Sequence, residues 1–151
     1  MHTRWFEEFE SGDKFESRGA TLTESQIVDF ALTYDPQQMH VDAAAAADGA
    51  FGGLIASGFQ TLALSFRLFF DLGLVARSNI VGPGMDEVRW LAPVRPGDTL
   101  RSVAEVLEVR ESRSRPDRGT VRFGFTVKNQ RDEVVLTYQA LTIIRRRPEE
   151  G

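Results

Sequence analysis

Residues 59 to 72 read Phe-Gln-Thr-Leu-Ala-Leu-Ser-Phe-Arg-Leu-Phe-Phe-Asp-Leu, and few folds can accept them. No Gly or Pro interrupts the run, which Gly58 opens as a helix. Phe59, Leu62, Ala63, Leu64, Phe66, Leu68, Phe69, Phe70 and Leu72 then cover nearly its whole circumference. A helix without a polar face must be surrounded. Ser65, Arg67 and Asp71 break the apolar run, so it does not suit a bilayer. Its surroundings must be protein, and the polar Gln60 and Ser65 must find buried partners there.

The second half of the chain supplies a cover. Residues 85–94 form a strand closed by Pro93, 95–98 (Arg-Pro-Gly-Asp) a turn, and 99–110 a long strand. Residues 120–129 alternate strictly: Val121, Phe123, Phe125 and Val127 share one face, while Thr120, Arg122, Thr126 and Lys128 share the other. Residues 129–132 (Asn-Gln-Arg-Asp) turn the chain into a last strand over 133–146. With a first strand near the N-terminus, the sheet is antiparallel and has five or six strands. The fold class is α+β, a single domain over residues 1–151 with no repeat or linker. One apolar helix against a long, curved antiparallel sheet suggests the hot-dog architecture, in which the sheet wraps the helix. Open sheet edges in so small a domain commonly pair between copies, so a homodimer or higher homo-oligomer is expected.

Composition removes several kinds of chemistry. The chain has no cysteine, hence no thiol nucleophile, disulfide or thiolate metal site. One usable histidine and scattered acids do not make a metal site, and no cofactor is expected. The net charge of −4 argues against nucleic acid as a partner. Basic residues do cluster at 110–119 and 145–147. The first cluster, with Pro116, Asp117 and Gly119, reads as a loop between strands. The charges read as solvated, with a phosphate contact for a cofactor or carrier as the alternative. The N-terminal segment carries acids where a signal peptide would be apolar. No membrane association and a cytoplasmic location are expected. His2 lies in this segment and has no visible role.

The stretch 34–42, Tyr-Asp-Pro-Gln-Gln-Met-His-Val-Asp, holds the other histidine. Before it, Thr23 and Gln26 have capping-box spacing, and Ile27, Phe30, Ala31 and Tyr34 form one helical stripe. Pro36 disfavours helical geometry at Asp35, which ends this helix. Asp42 caps a second, short helix beginning at Ala43. Asp35 and His40 therefore sit in a turn held at both ends.

This stretch, followed by Gly58 of "GLIASGFQT" and by "LAPVRPGDTL" (91–100), resembles the MaoC-like hydratases and dehydratases, including the R-specific enoyl-CoA hydratases. The likeness covers roughly residues 10–145. That family's motif runs Asp-x-Asn-Pro-x-His, followed by an Ile-Val-His-Gly type of helix start. Asp35 and His40 fall on its aspartate and histidine, and Gly58 on its glycine. Gln37-Gln38 replaces its Asn-Pro, Pro stands at position 36 instead, and Ser57 replaces its second histidine. The resemblance implies a lyase that adds or removes water at an enoyl or 3-hydroxyacyl thioester of coenzyme A, in fatty acid metabolism. Asp35 and His40 would be catalytic, and Ser57, Gly58 and Phe59 would bind substrate.

The chemistry asks for these groups. Hydration needs a base to take a proton from water, an acid to protonate the α-carbon, and donors for the developing enolate oxygen. Imidazole and carboxylate can share one water, and backbone N–H groups at the Gly58 helix start can meet the thioester carbonyl. Apolar neighbours would raise the Asp35 pKa. Lacking a side chain, Gly58 would let a ligand approach closely. Two other readings share the fold. A thioesterase usually carries a carboxylate on the central helix, where this chain has only Asp71, at the far end. The other is a non-catalytic acyl-thioester binder.

Overall fold

A computed structural model describes residues 2–150. After a short 3-10 turn at Phe6–Glu8 come β1 (Lys14–Glu16), β2 (Ala20–Thr21), α1 (Glu24–Tyr34), α2 (Gln38–Val41), α3 (Ala43–Ala47) and α4 (Gly58–Phe70). Four long strands follow: β3 (Asn79–Trp90), β4 (Thr99–Glu111), β5 (Arg118–Lys128) and β6 (Val134–Arg145). The sheet order is β1-β4-β5-β6-β3, with β2 also on β4, and every pairing is antiparallel. The expected α+β class and strand number hold. Among the described residues no helix is long and apolar enough to cross a membrane.

The strand expected over 85–94 is displaced toward the N-terminus. It already pairs Asn79 with Ile144 and finishes with Trp90 opposite Leu136. Register shifts absorb Gly82-Pro83-Gly84 on this edge strand, where proline's missing N–H costs no ladder bond. Beyond Trp90 only the Leu91 N–H still reaches β6, at the Val135 carbonyl. The chain then crosses toward α4.

Helix α4 is also shorter than expected. It stops at Phe70, with Asp71 as C-cap, and the chain leaves through Gly73 at φ 75, which favours glycine. One face is buried on the sheet. Phe69 lies 5.1 Å from Phe123 and edge-on to Phe125 at 5.3 Å. Phe125 stacks on its cross-strand partner Tyr138 at 4.5 Å. Leu64 and Phe66 are half-buried against this core. A buried, unpartnered hydroxyl would cost about 1–3 kcal/mol, yet Ser65 shares hydrogen bonds with Tyr138 (2.7 Å) and Ser102 (3.0 Å). Gln60 donates to the Gln26 carbonyl, which ties α4 to α1.

The other face of α4 is open. Phe59 is 61% exposed, and Ala63, Arg67 and Phe70 are exposed as well. One sheet covers one side of a helix, so the apolar circumference exceeds what a single chain buries.

Candidate active site

Helix α1 ends where the sequence sets its limits. Thr23 accepts from the Gln26 N–H while Gln26 accepts from the Thr23 N–H. Asp35 is the C-cap, directly before Pro36. Ile27 and Ala31 are buried, but Tyr34 is 72% exposed, so the expected stripe ends before the last turn. The segment after Asp35 is more than a turn. It forms the single helical turn α2, which carries His40. Asp42 then caps α3, accepting from the Ala45 N–H at 3.0 Å.

The extended segment before α4 locks these pieces together. The Ile55 N–H donates to the Met39 carbonyl, and the Ala56 N–H donates to Val94. His40 Nδ1 lies 2.7 Å from the Ile55 carbonyl oxygen. A carbonyl can only accept, so Nδ1 carries the proton and Nε2 is left for chemistry. Nε2 points at Asp35 Oδ2, 3.4 Å away, with His40 itself buried. That separation is longer than a good direct hydrogen bond.

Asp35 is held on both oxygens. Ser57 Oγ donates to Oδ2 at 2.7 Å, and Gln37 Nε2 donates to Oδ1 at 2.8 Å. The Ser57 bond first, then Gln37 and finally the charge of His40 lower the carboxyl pKa against the opposing effect of burial. The expected rise is therefore overturned. Two donors to the ionised form outweigh desolvation of a side chain that keeps 13% of its surface exposed.

Asp35, His40, Gly58 and Phe59 all line one cleft of about 440 Å³, with Trp90 and Phe51 among its other walls. Ser57, expected to bind substrate, does not line it. Its side chain is wholly buried, with its hydroxyl spent on Asp35 and on the Phe59 N–H. It positions the carboxylate and caps the helix. Because the Phe59 N–H is taken, Gly58 keeps the first-turn N–H with no partner among the described residues.

Gly58 answers a neighbour that the sequence reading did not single out. A Cβ here would lie 2.5 Å from Cε2 and Nε1 of Trp90. The same indole donates to the Gly58 carbonyl at 2.9 Å. The expected close approach is made by Trp90, packed on the Cα. The available signal was a tryptophan closing a strand just ahead of "LAP". Asp71 sits at the far end of α4, paired with Arg67 at 3.0 Å.

A pH test follows for Ser57→Ala. A lowered folded-state carboxyl pKa contributes stability that is present above the unfolded value and lost as pH falls through the folded one. Removing Ser57 should raise the folded value and reduce this contribution. The Phe59 cap is lost as well, at about 1 kcal/mol and independently of pH. Urea unfolding should therefore show a larger deficit at neutral pH than in acid below both values. A deficit equal at all pH would assign Ser57 to capping alone.

A family model described as "MaoC like domain" matches residues 8–129. The uncharacterised protein YdeM of Bacillus subtilis is 34% identical over 140 residues, covering 93% of this chain and 98% of that one. The 3-hydroxyacyl-thioester dehydratase Z of Mycobacterium tuberculosis is 36% identical over 104 residues, 67% of this chain and 69% of that one. Among solved structures, a MaoC-like dehydratase from Rhodospirillum rubrum has a TM-score of 0.89 at 39% identity, covering 96% of this chain and 99% of that one. A second Mycobacterium tuberculosis protein, with a double hot-dog fold, has a TM-score of 0.80 at 18% identity, a likeness of fold alone. It is matched over 99% of this chain and 46% of that one. The helix and sheet described above are a hot-dog fold.

Proposed function

From a chain that belongs to the MaoC-like family of hydratases and dehydratases, we propose an enzyme that adds water to, or removes it from, an enoyl or 3-hydroxyacyl thioester of coenzyme A. The observation that carries this reading is the pair of acceptors, His40 Nε2 and Asp35 Oδ2, held 3.4 Å apart on the cleft shared with Gly58. With Nδ1 protonated and Asp35 ionised, both face the cleft as acceptors. One water can donate a hydrogen to each, which aims its oxygen at the β-carbon of an enoyl group.

The C–O bond forms as the C=C pair moves toward the carbonyl and one water proton passes to the pair. The enolate oxygen takes a hydrogen bond from the Gly58 N–H at the positive end of α4. A proton returned to the α-carbon completes the 3-hydroxyacyl thioester, and dehydration runs the same steps backwards. The reaction needs no cofactor beyond the coenzyme A carried by the substrate. A thioesterase would want a carboxylate along α4, and Gly58–Phe70 contains none.

The test is loss of enoyl-thioester ultraviolet absorbance with a short trans-2-enoyl-CoA, with chiral analysis of the product and a parallel assay for free thiol. Thiol release without hydration would replace this reading with hydrolysis, and neither activity would leave a binding protein. A cytoplasmic setting goes with this substrate.

The reading includes a homodimer. Strand β3 is a sheet edge with Val81 and Met85 exposed along it, and Phe59 and Phe70 lie open on α4. Light scattering should give twice the 16.9 kDa chain mass. Val81→Lys with Met85→Lys should halve that value, and a wild-type monomer would refute the dimer.

A further inference from the structure

A second cleft, of about 280 Å³, opens beside the catalytic one. Gln37, Met39 and Phe51 line both, so these three residues form the partition. Two of them are tied down, Gln37 by its side chain and Met39 by its backbone. Gln37 holds Asp35 through its amide, and Met39 is anchored through its carbonyl to the Ile55 N–H. Phe51 differs. Its ring lies at the surface, 41% exposed, on a turn whose neighbours include Gly49, Gly52 and Gly53, with Gly52 at φ 67. A side chain holds the turn from outside: Arg95 donates to the Phe51 carbonyl at 2.6 Å. Behind the partition the walls are small, with Ala45, Ala46, Gly49 and Ala50 among them.

We propose that Phe51 sets the acyl-chain length accepted by the enzyme, its ring closing the catalytic cleft from a second cleft that a longer acyl tail would enter. The proposal rests on the thioester reading above. A short acyl group is satisfied within the first cleft, where Ile55, Ala56 and Val94 offer apolar surface. A longer tail must displace the Phe51 ring or stay in water. Small residues beyond the partition leave room for methylenes once the ring is gone, and Met39 can follow the change because its thioether is flexible.

The experiment compares wild type, Phe51→Ala and Phe51→Leu on trans-2-enoyl-CoA substrates from butenoyl to decenoyl. Binding of the matching saturated acyl-CoA esters is followed in parallel by calorimetry. Wild type should favour the short end. Phe51→Ala should reverse the order, gaining roughly fourfold in kcat/KM for each methylene that reaches the second cleft. Phe51→Leu, the milder change, should shift the optimum part of the way, and it carries the test if the alanine variant does not fold. Adding Ala45→Leu to Phe51→Ala should refill the space and restore the short preference. An unchanged chain-length order in both Phe51 variants, in turnover and in binding, overturns the proposal. Wild type inactive on every enoyl ester would sink the hydratase reading instead, and calorimetry would still decide the partition.

Discussion

Asp35→Asn and His40→Ala should each lower kcat for enoyl-thioester hydration by about a hundredfold to ten-thousandfold, the usual range for losing general acid/base help. KM should change little, because in the proposed reaction both side chains act on the water rather than on the acyl group. Asp35→Asn is nearly isosteric and keeps one acceptor for the 2.7 Å bond from Ser57, so its effect should report chemistry rather than unfolding. His40→Ala removes a buried ring and orphans the Ile55 carbonyl that Nδ1 now meets at 2.7 Å. That costs about 1–3 kcal/mol of stability, so His40→Asn should be measured beside it. If the two acceptors share one water, as the proposed reaction requires, the double variant should be scarcely slower than the worse single one. Multiplicative losses would mean that they act in separate steps. Variants as active as wild type would return this stretch to a purely structural role.

Much of this site was legible because its parts are local. Pro36 stops a helix whatever the rest of the chain does, the Thr23 and Gln26 spacing starts one, and Asp42 caps the next. Asp35 and His40 are thereby confined to a short stretch, where the structure has a one-turn helix in place of a plain turn. The strict alternation of Val121, Phe123, Phe125 and Val127 likewise marks the buried face of β5, to which the structure adds Gly119.

What was not legible depends on partners distant in sequence. The lowered pKa of Asp35 comes from Ser57, 22 residues away, and no local pattern announces that hydroxyl as its donor. The packing of Trp90 on Gly58 spans 32 residues and two elements. The limits of β3 differ from the expected ones for a related reason. Its edge position tolerates Gly82-Pro83-Gly84, and edge status is a property of the sheet. The apolar circumference of α4 demands cover, yet periodicity does not say that the chain's own sheet supplies only one side.

Gly58→Val should reduce turnover about a hundredfold or more, and the cause should be traceable to Trp90. Any Cβ at this position would sit 2.5 Å from the indole, well inside contact distance, so the ring or the helix start must move. Trp90 is 49% exposed and can swing outward. Doing so breaks its 2.9 Å bond to the Gly58 carbonyl and frees the first turn of α4, where the proposed reaction needs the Gly58 N–H for the enolate oxygen. Misplacing a catalytic donor by about 1 Å is enough for a loss of that size. Stability should fall by about 1–3 kcal/mol, as for other overpacked sites. Gly58→Ala with Trp90→Ala separates two reasons for the glycine. If its task is to receive the indole, the double variant should recover thermal stability relative to Gly58→Ala alone. If its task is to admit the thioester carbonyl, kcat should stay low even with the indole removed. Recovery of both would make Trp90 the whole explanation, and wild-type turnover in Gly58→Val would move the oxyanion donor away from α4.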